Sequence, residues 1–239
     1  MEIGSFGQRL FTSSARAAFR AIFRTTARVH IRHLTPIPRT GPLIMACNHI
    51  SHFDPPFIGS FFPRHVDWMA MEELFRNPRF GKALEWTGAF KVHRDGSDRS
   101  ALRVAVKRLR AGRVVGIFPE GGIRAGDTSI LNGAPMRPGV GALAQMAQAP
   151  VLPCVVIGTD RLYHKKNWRP FGRTPLWFVT GTPLPPPEGS GRDDAREQFR
   201  EALSRAFIEL KDRLVEQYGL SPADLPTTPQ ARKGEDPYA

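Results

Sequence analysis

No stretch of this sequence approaches the roughly 18 to 20 unbroken apolar residues that a membrane-spanning helix needs, so the chain is not expected to cross a bilayer. It has only two cysteines, Cys47 and Cys154. Both lie in apolar, strand-like segments, where a small buried hydrophobe is the simplest reading, and nothing about them requires an oxidising compartment. Acids are in short supply: 22 Asp and Glu stand against 34 Lys and Arg, a formal charge of +12. That excess points to an anionic partner without separating nucleic acid from a lipid headgroup or a phosphorylated small molecule. The GxSxG elbow of serine hydrolases does not occur. PGVGALAQ, from Pro138, superficially matches a dinucleotide-binding fingerprint, but the NGAPMR before it does not form a strand, which argues against a Rossmann site. We find no internal repeat.

The 239 residues, 41% of them hydrophobic, suffice for one substantial core, hence one domain with small appendages. Apolar, partly β-branched runs at about 43–47, 66–71, 88–92, 114–118, 151–157 and 175–180 read as strands. Helical patterns lie between them at 55–62, 79–87, 98–110 and 140–148, and a long final helix at 192–218 follows the stiff linker TPLPPPEGSG. Within the 98–110 segment, Leu102, Val106 and Leu109 supply the apolar stripe and Gly112 the stop. This alternation predicts an α/β fold whose mixed, largely parallel sheet is flanked by helices and carries function beyond the carboxyl ends of its strands.

The N-terminus is patterned differently. Arg16, Arg20, Arg24, Arg28 and Arg32 recur every fourth residue, a drift of only about 40° per step on a helix. Phe11, Ala18, Phe19, Ile22 and Val29 fall opposite them. This predicts an amphipathic helical pair lying in the headgroup plane of a membrane, with a break near Thr12 to Ser14, because Ile3, Phe6 and Leu10 leave the apolar face. The same pattern also fits a helix docked on the core, an organelle transit peptide, or a helix that tracks nucleic acid. The expected division is therefore 1–34 as interfacial helices, 35–220 as the α/β domain, and 221–239, proline-rich and polar, as a disordered tail.

The stretch NHISHFDPPF, residues 48–57, follows a buried strand and crowds Asn48, His49, His52 and Asp54 into one turn. Pro55 and Pro56 make Asp54 a candidate N-cap. If the turn folds back, the carboxylate can fix the tautomer of His49 and leave its other nitrogen basic, which is the base-and-orienter half of a triad with no nucleophilic serine. Asn48, His49 and Asp54 also suit a plain capping turn. A metal set of Cys47, His49, His52 and Asp54 lacks a second cluster to complete it, so no metal is assigned. Lys91 and Arg94, in GAFKVHR, and Glu120, the glycines and Arg124, in VVGIFPEGGIR, sit at other strand ends, where backbone amides and guanidinium groups can hold an anion.

Taken in this order, these segments resemble the glycerolipid acyltransferase family typified by the 1-acylglycerol-3-phosphate acyltransferases, over about Pro42 to Gly181. NHISHFD resembles the family's NHxSxxD motif at Asn48, His49, Ser51 and Asp54. GAFKVHR resembles the second block, ending in Arg94. FPEGGIR resembles the third at Phe118, Pro119, Glu120 and Gly121, and APVLPCVV the fourth, with its proline at Pro153. One departure stands out: Gly122 replaces the usual threonine and the arginine comes a residue late, at Arg124, while the basic residue before the next helix is Arg137.

The resemblance implies transfer of a fatty acyl group from a thioester, acyl-CoA or acyl carrier protein, to the free hydroxyl of lysophosphatidic acid or a related lysolipid, with no cofactor. It implies His49 as general base, Asp54 as its orienter, and no acyl-enzyme. Lys91, Arg94, Glu120, Gly121, Arg124 and Arg137 would form the phosphate pocket. Glu120 should repel a phosphate, so it is expected to meet the acceptor hydroxyl or to orient the arginines. Substrates with fatty chains favour a peripheral or monotopic protein on the cytoplasmic face of a membrane, bound through residues 1–32, with no nucleic-acid partner. The loop YHKKNWRPFGR, 163–173, suits such an interface as well. The competing expectation is a basic, noncatalytic module in which His49 and Asp54 only cap a turn.

Overall fold

The structure, a computed structural model, describes residues 6–92, 99–171, 174–188 and 192–227. In chain order these form α1 (Phe6–Thr26), β1 (Ala27–His33), β2 (Leu43–Cys47), α2 (Asp54–Phe61), β3 (Val66–Met71), α3 (Pro78–Trp86), β4 (Phe90–Val92), α4 (Arg99–Arg110), β5 (Val114–Ile117), α5 (Gly139–Ala147), β6 (Val151–Ile157), β7 (Thr174–Thr180) and α6 (Arg192–Tyr218). The strands make one sheet in the order β1-β7-β6-β2-β5-β3-β4. Every neighbouring pair is parallel except β6 and β7. The mixed, largely parallel α/β sheet that the alternation predicts is therefore what forms.

Strands β2, β5 and β6 are buried along their whole length, because helices cover both faces of the sheet. On one face Ala105 and Leu109 of α4, Val140 and Leu143 of α5, and Leu203, Phe207 and Leu210 of α6 close over Ile44, Val115 and Val155. On the other, Phe23 of α1 and Phe57 and Ile58 of α2 close over Met45, Leu152 and Phe178. Pro153 sits in the interior of β6, where a missing amide would break a ladder bond. It is tolerated because it lies opposite Gly181, just past the end of β7: Pro153 O accepts the Gly181 N–H at 2.9 Å, and the Gly181 carbonyl that a Pro153 amide would have met accepts from the Thr35 hydroxyl at 3.2 Å instead.

Three expectations about the chain's ends are corrected. α1 is one uninterrupted helix of 21 residues, not a pair broken near Thr12 to Ser14. The helix also stops earlier than expected, since Ala27–His33 is an edge strand paired with β7. A spacing of four residues satisfies a period of two as well as one of 3.6, so Arg28 and Arg32 fit a strand with Val29 and Ile31 turned inward. Finally, the start of the supposed tail is docked: Arg161 pairs with Asp224 at 2.9 Å, and Leu225 packs on the core. Hydrogen bonds from Arg161 and Ser221 hold the Asp224 carboxyl down at about 2. Residues 228–239 lie outside the described residues.

The basic face of α1 is also turned round. Arg16 donates to the Phe62 carbonyl at 2.6 Å, Arg20 donates to Ser60 O at 2.9 Å, and the Thr12 hydroxyl donates to Trp86 O at 2.9 Å. These are carbonyls at the carboxyl ends of α2 and α3, which have no partner within their own helix. Arginines expected to meet solvent or headgroups thus fix the helix to the domain, while Phe6, Leu10, Phe11, Phe19 and Ile22 remain exposed.

Candidate active site

The site is built where β2 ends between β5 and β6. Asn48 locks that exit: its amide group donates to Val156 O at 2.9 Å and accepts from Val156 N at 2.8 Å, so a side chain extends the ladder to β6 by one rung. The chain then turns back on itself around Asp54. Asp54 Oδ2 accepts from His49 Nδ1 at 2.8 Å, from Ile50 N at 2.8 Å and from Ser51 N at 2.9 Å, and Oδ1 accepts from the Thr159 hydroxyl. Asp54 is fully buried. It is therefore not the N-cap of α2, a position held by Phe53 with no side-chain cap. Its carboxylate faces backward into the preceding turn, because Ile50 and Ser51 amides there would otherwise be buried without acceptors. Ser51 braces the turn by accepting from Phe53 N at 3.1 Å.

Bonded to Asp54 through Nδ1, the His49 ring leaves Nε2 without a partner among the described residues, and the side chain keeps 17% exposure. The ring lies flat on Phe118, with centroids 4.0 Å apart, and Phe118 lies flat on Trp68 at 5.0 Å. This stack prevents the imidazole from swinging away from the carboxylate. His52, the second histidine of the turn, points elsewhere and bonds Tyr163 Oη at 2.6 Å. Burial, and next the neighbouring His49, lower its pKa.

The loop after β5 supports His49 from below. Glu120 Oε2 accepts the His49 backbone N–H at 2.5 Å, and Oε1 accepts from Ser129 Oγ at 2.8 Å and Ile130 N at 3.0 Å. The carbonyl of His49 in turn accepts from Arg124 N at 2.8 Å. Among the described residues Glu120 thus pairs with no arginine side chain, and it is buried. Its carboxylate is consumed as a brace, and burial raises its pKa to about 7 against the opposing pull of its hydrogen bonds. The difficulty of a carboxylate beside a phosphate disappears with this correction.

Arg124 and Arg137 are exposed, and neither pairs with a carboxylate among the described residues. They flank the two glycines: a Cβ on Gly121, whose φ is +67°, would come 2.1 Å from Arg137 Nε, and one on Gly122 would stand 3.9 Å from Arg124 Nη1. Arg137 is tied to the same loop by its N–H, which donates to Pro119 O at 2.9 Å. Lys91 does not join this group. It stands on the outermost strand, β4, 3.8 Å from Glu85 and 5.2 Å from the centre of the Phe75 ring. Arg94 lies outside the described residues.

Thr159 and Ser129 escaped the sequence reading, although each closes a carboxylate. Thr159 is reached through Gly158, whose φ of +94° and whose contact with Pro175 O, only 2.3 Å from where a Cβ would stand, admit no side chain. A Gly-Thr pair directly after a buried strand adjacent to β2 was the available signal. Cys47 and Cys154 are register neighbours on β2 and β6, both free and fully buried, with thiols pushed well up by burial. Among the described residues, no three metal-ligating side chains come together.

The sequence pattern of the Acyltransferase family matches residues 28–157, which is more than half of the chain and includes the whole His49 turn and its brace. The chain belongs to the acyltransferase family. Among curated relatives, a 1-acyl-sn-glycerol-3-phosphate acyltransferase of Bacillus subtilis is 27% identical over 201 residues, covering 82% of this chain and 95% of the relative. One of Helicobacter pylori is 29% identical over 129 residues, 53% of each chain. The crystal structure of the 1-acyl-sn-glycerophosphate acyltransferase PlsC from Thermotoga maritima superposes with a TM-score of 0.60 at 24% identity, covering 85% of this chain and 80% of that one. The resemblance carried by the four motifs therefore stands: this acyltransferase is an O-acyltransferase with the PlsC-like fold.

Proposed function

We propose that this acyltransferase moves a fatty acyl group from a thioester, acyl-CoA or acyl carrier protein, to the free hydroxyl of lysophosphatidic acid or a closely related lysolipid, using His49 as general base. The observation that carries the reading is the Asp54-bonded imidazole, whose Nε2 has no partner among the described residues, on a turn whose His49 carbonyl accepts the backbone N–H of Arg124. Donation of Nδ1–H to Asp54 fixes the tautomer that leaves Nε2 as acceptor. The acceptor hydroxyl gives its proton to Nε2, and its oxygen attacks the thioester carbonyl. The tetrahedral intermediate then expels the thiolate, which recovers the proton from the imidazolium, so no acyl-enzyme forms. Asp54 stabilises the transient cation. A placed base contributes about 10² to 10⁴ in rate, and holding two substrates together supplies much of the rest.

Arg124 and Arg137 are assigned to the acceptor's phosphate, which a guanidinium can grip in bidentate fashion. The Bacillus and Helicobacter relatives, both named for a phosphorylated acceptor, support the assignment. We also assign the exposed apolar residues of α1, Phe6, Leu10, Phe11 and Ile22, to the surface of a membrane, on the cytoplasmic face where thioester donors are made. No helix among the described residues is long and apolar enough to cross a bilayer. The competing reading, a noncatalytic nucleic-acid module, is disfavoured because Arg16 and Arg20 are spent on the carbonyls of the domain.

The test is transfer from one labelled acyl thioester to a panel of lysophosphatidic acid, glycerol 3-phosphate and lyso-aminolipid acceptors. Lysophosphatidic acid is expected to be preferred, and the Arg124→Ala/Arg137→Ala variant to raise its KM about tenfold or more, the worth of a lost charged hydrogen bond. Equal use of a lyso-aminolipid without phosphate by the intact enzyme would contradict the assignment.

A further inference from the structure

A second group of cations lies outside the site just described. The segment 159–171 begins at the carboxyl end of β6 and runs through two short 3₁₀ turns, Thr159–Tyr163 and Lys165–Trp168. With the start of β7 it encloses an open cleft of about 540 Å³ lined by Arg161, Lys166, Asn167, Arg169 and Phe171, among others. Arg161 is fixed by Asp224 and by stacking over Trp177 at 5.9 Å. Lys166 and Arg169 are exposed, and neither pairs with a carboxylate among the described residues. Among the described residues the cleft therefore carries two cations, Lys166 and Arg169, without a paired acid.

The loop that bears these cations is held rigidly. The Trp168 indole N–H donates to Leu162 O and the Asn167 amide donates to Arg161 O, both at 2.6 Å. The Trp168 ring sits between Phe23 of α1, at 6.3 Å, and Phe53 of the active-site turn, at 5.1 Å. At the loop's tip Phe171 is 90% exposed and has a φ of +60°, a conformation that a bulky residue adopts only when something holds it. What holds it is the end of α1: Phe171 N–H donates to Thr25 O at 2.6 Å. The helix whose apolar residues face outward and the loop with a cationic cleft and a bare aromatic tip are thus fastened to each other.

We propose that this cleft is a binding site for the phosphate of an anionic phospholipid, with Phe171 inserted into the adjacent acyl region. The proposal rests on the membrane reading of α1 given above and adds a headgroup-selective contact to it. A lone cationic cleft would suit any phosphate. An aromatic side chain left almost fully in water beside it, and bonded to an apolar-faced helix, suits a phosphate at an apolar boundary. Because Trp168 also packs on Phe53, a lipid bound here sits on the element next to the catalytic turn.

The experiment is co-sedimentation of the full chain with vesicles of phosphatidylcholine alone and of phosphatidylcholine mixed with phosphatidylglycerol. Intact protein, Lys166→Glu/Arg169→Glu, Phe171→Asp and, on α1, Phe11→Asp/Ile22→Asp would be compared, with thermal melting as the control for folding. Charge reversal at 166 and 169 is expected to weaken binding to the mixed vesicles about tenfold or more while leaving the weak binding to phosphatidylcholine unchanged. Phe171→Asp should weaken both. The proposal is overturned if charge reversal leaves the preference for mixed vesicles intact while the α1 variant loses binding, in which case the membrane reading survives without it. It is also overturned if charge reversal instead raises the KM for acyl-CoA with vesicle binding unchanged, which would assign the cleft to the donor's phosphates. If neither loop nor helix variants alter binding, both readings fall.

Discussion

Two histidine–aspartate pairs in this chain invite comparison. His49 and Asp54 lie at the carboxyl end of the central strands, and His65 and Asp67 lie at the opposite edge, where β3 begins. Each aspartate is fully buried and each histidine side chain is 17% exposed. The difference is in what else the acid holds. Asp54 is satisfied by backbone amides and a threonine, all neutral, so among the described residues the imidazole is its only titratable hydrogen-bond partner. Asp67 faces two arginines, with Arg113 at 2.5 Å and Arg108 at 3.4 Å, and His65 Nε2 stands 3.3 Å away without making a hydrogen bond to it. A carboxylate already neutralised by guanidinium groups has little left with which to stabilise an imidazolium. The acid-facing nitrogen of the second pair is also crowded: a Cβ on Gly88 would stand 2.7 Å from His65 Nε2. A base therefore needs more than a histidine beside an acid. It needs an acid whose other partners are uncharged, and an open ring nitrogen.

The comparison can be broken in several places. Asp54→Asn should have the largest effect, since it removes the ring's orienter and places an amide against the Ile50 and Ser51 N–H groups. Turnover is expected to fall about 10² to 10⁴-fold, measured as acyl transfer by protein that still melts cooperatively. Asp67→Asn should leave turnover per folded molecule unchanged but cost about 3 kcal/mol in chemical denaturation, because two partly buried arginines lose their counter-charge. If that variant instead loses activity at full stability, the division into a working pair and a structural pair is wrong.

Glu120→Gln comes next. One amide oxygen cannot replace two carboxylate oxygens, and the new NH2 must oppose either the His49 or the Ile130 N–H. A loss of about 1–3 kcal/mol is expected, with turnover lowered because the His49 backbone is released. The wild-type pH dependence has a definite sign. The Glu120 carboxyl is raised from 4.5 to about 7 in the folded protein, so the folded state holds more protons than the unfolded one between those values. Its contribution to stability is complete below about pH 4.5 and is lost as pH rises towards 7. Melting of wild type relative to Glu120→Gln across that window should show the slope; a flat difference would mean that the carboxylate is ionised throughout. The smallest effect belongs to Lys91→Ala, which should leave KM for the acceptor unchanged, since Lys91 is occupied with Glu85 and Phe75.

The strands 43–47 and 151–157, buried on both faces, were legible because continuous apolar runs need no partner to be recognised, and they form as read, as does the partly buried 66–71. β1 was not, because arginines four apart satisfy helix and strand alike. The approach of His49 to Asp54 follows from five residues of local chain. Two supports were hidden because they depend on the sheet: Thr159 reaches Asp54 across 105 residues, and Glu120 reaches His49 N–H across 71. The inward turn of Arg16 and Arg20 depends likewise on where α2 ends, which a helical pattern considered alone does not contain.

The central claim is that His49, and not His65, is the base. Acyl transfer from a labelled thioester to lysophosphatidic acid by His49→Gln and His65→Gln proteins, each confirmed folded by thermal melting, tests it directly. The account predicts a loss of about a hundredfold or more in kcat for the first and near wild-type turnover for the second. Wild-type turnover by folded His49→Gln protein would contradict it.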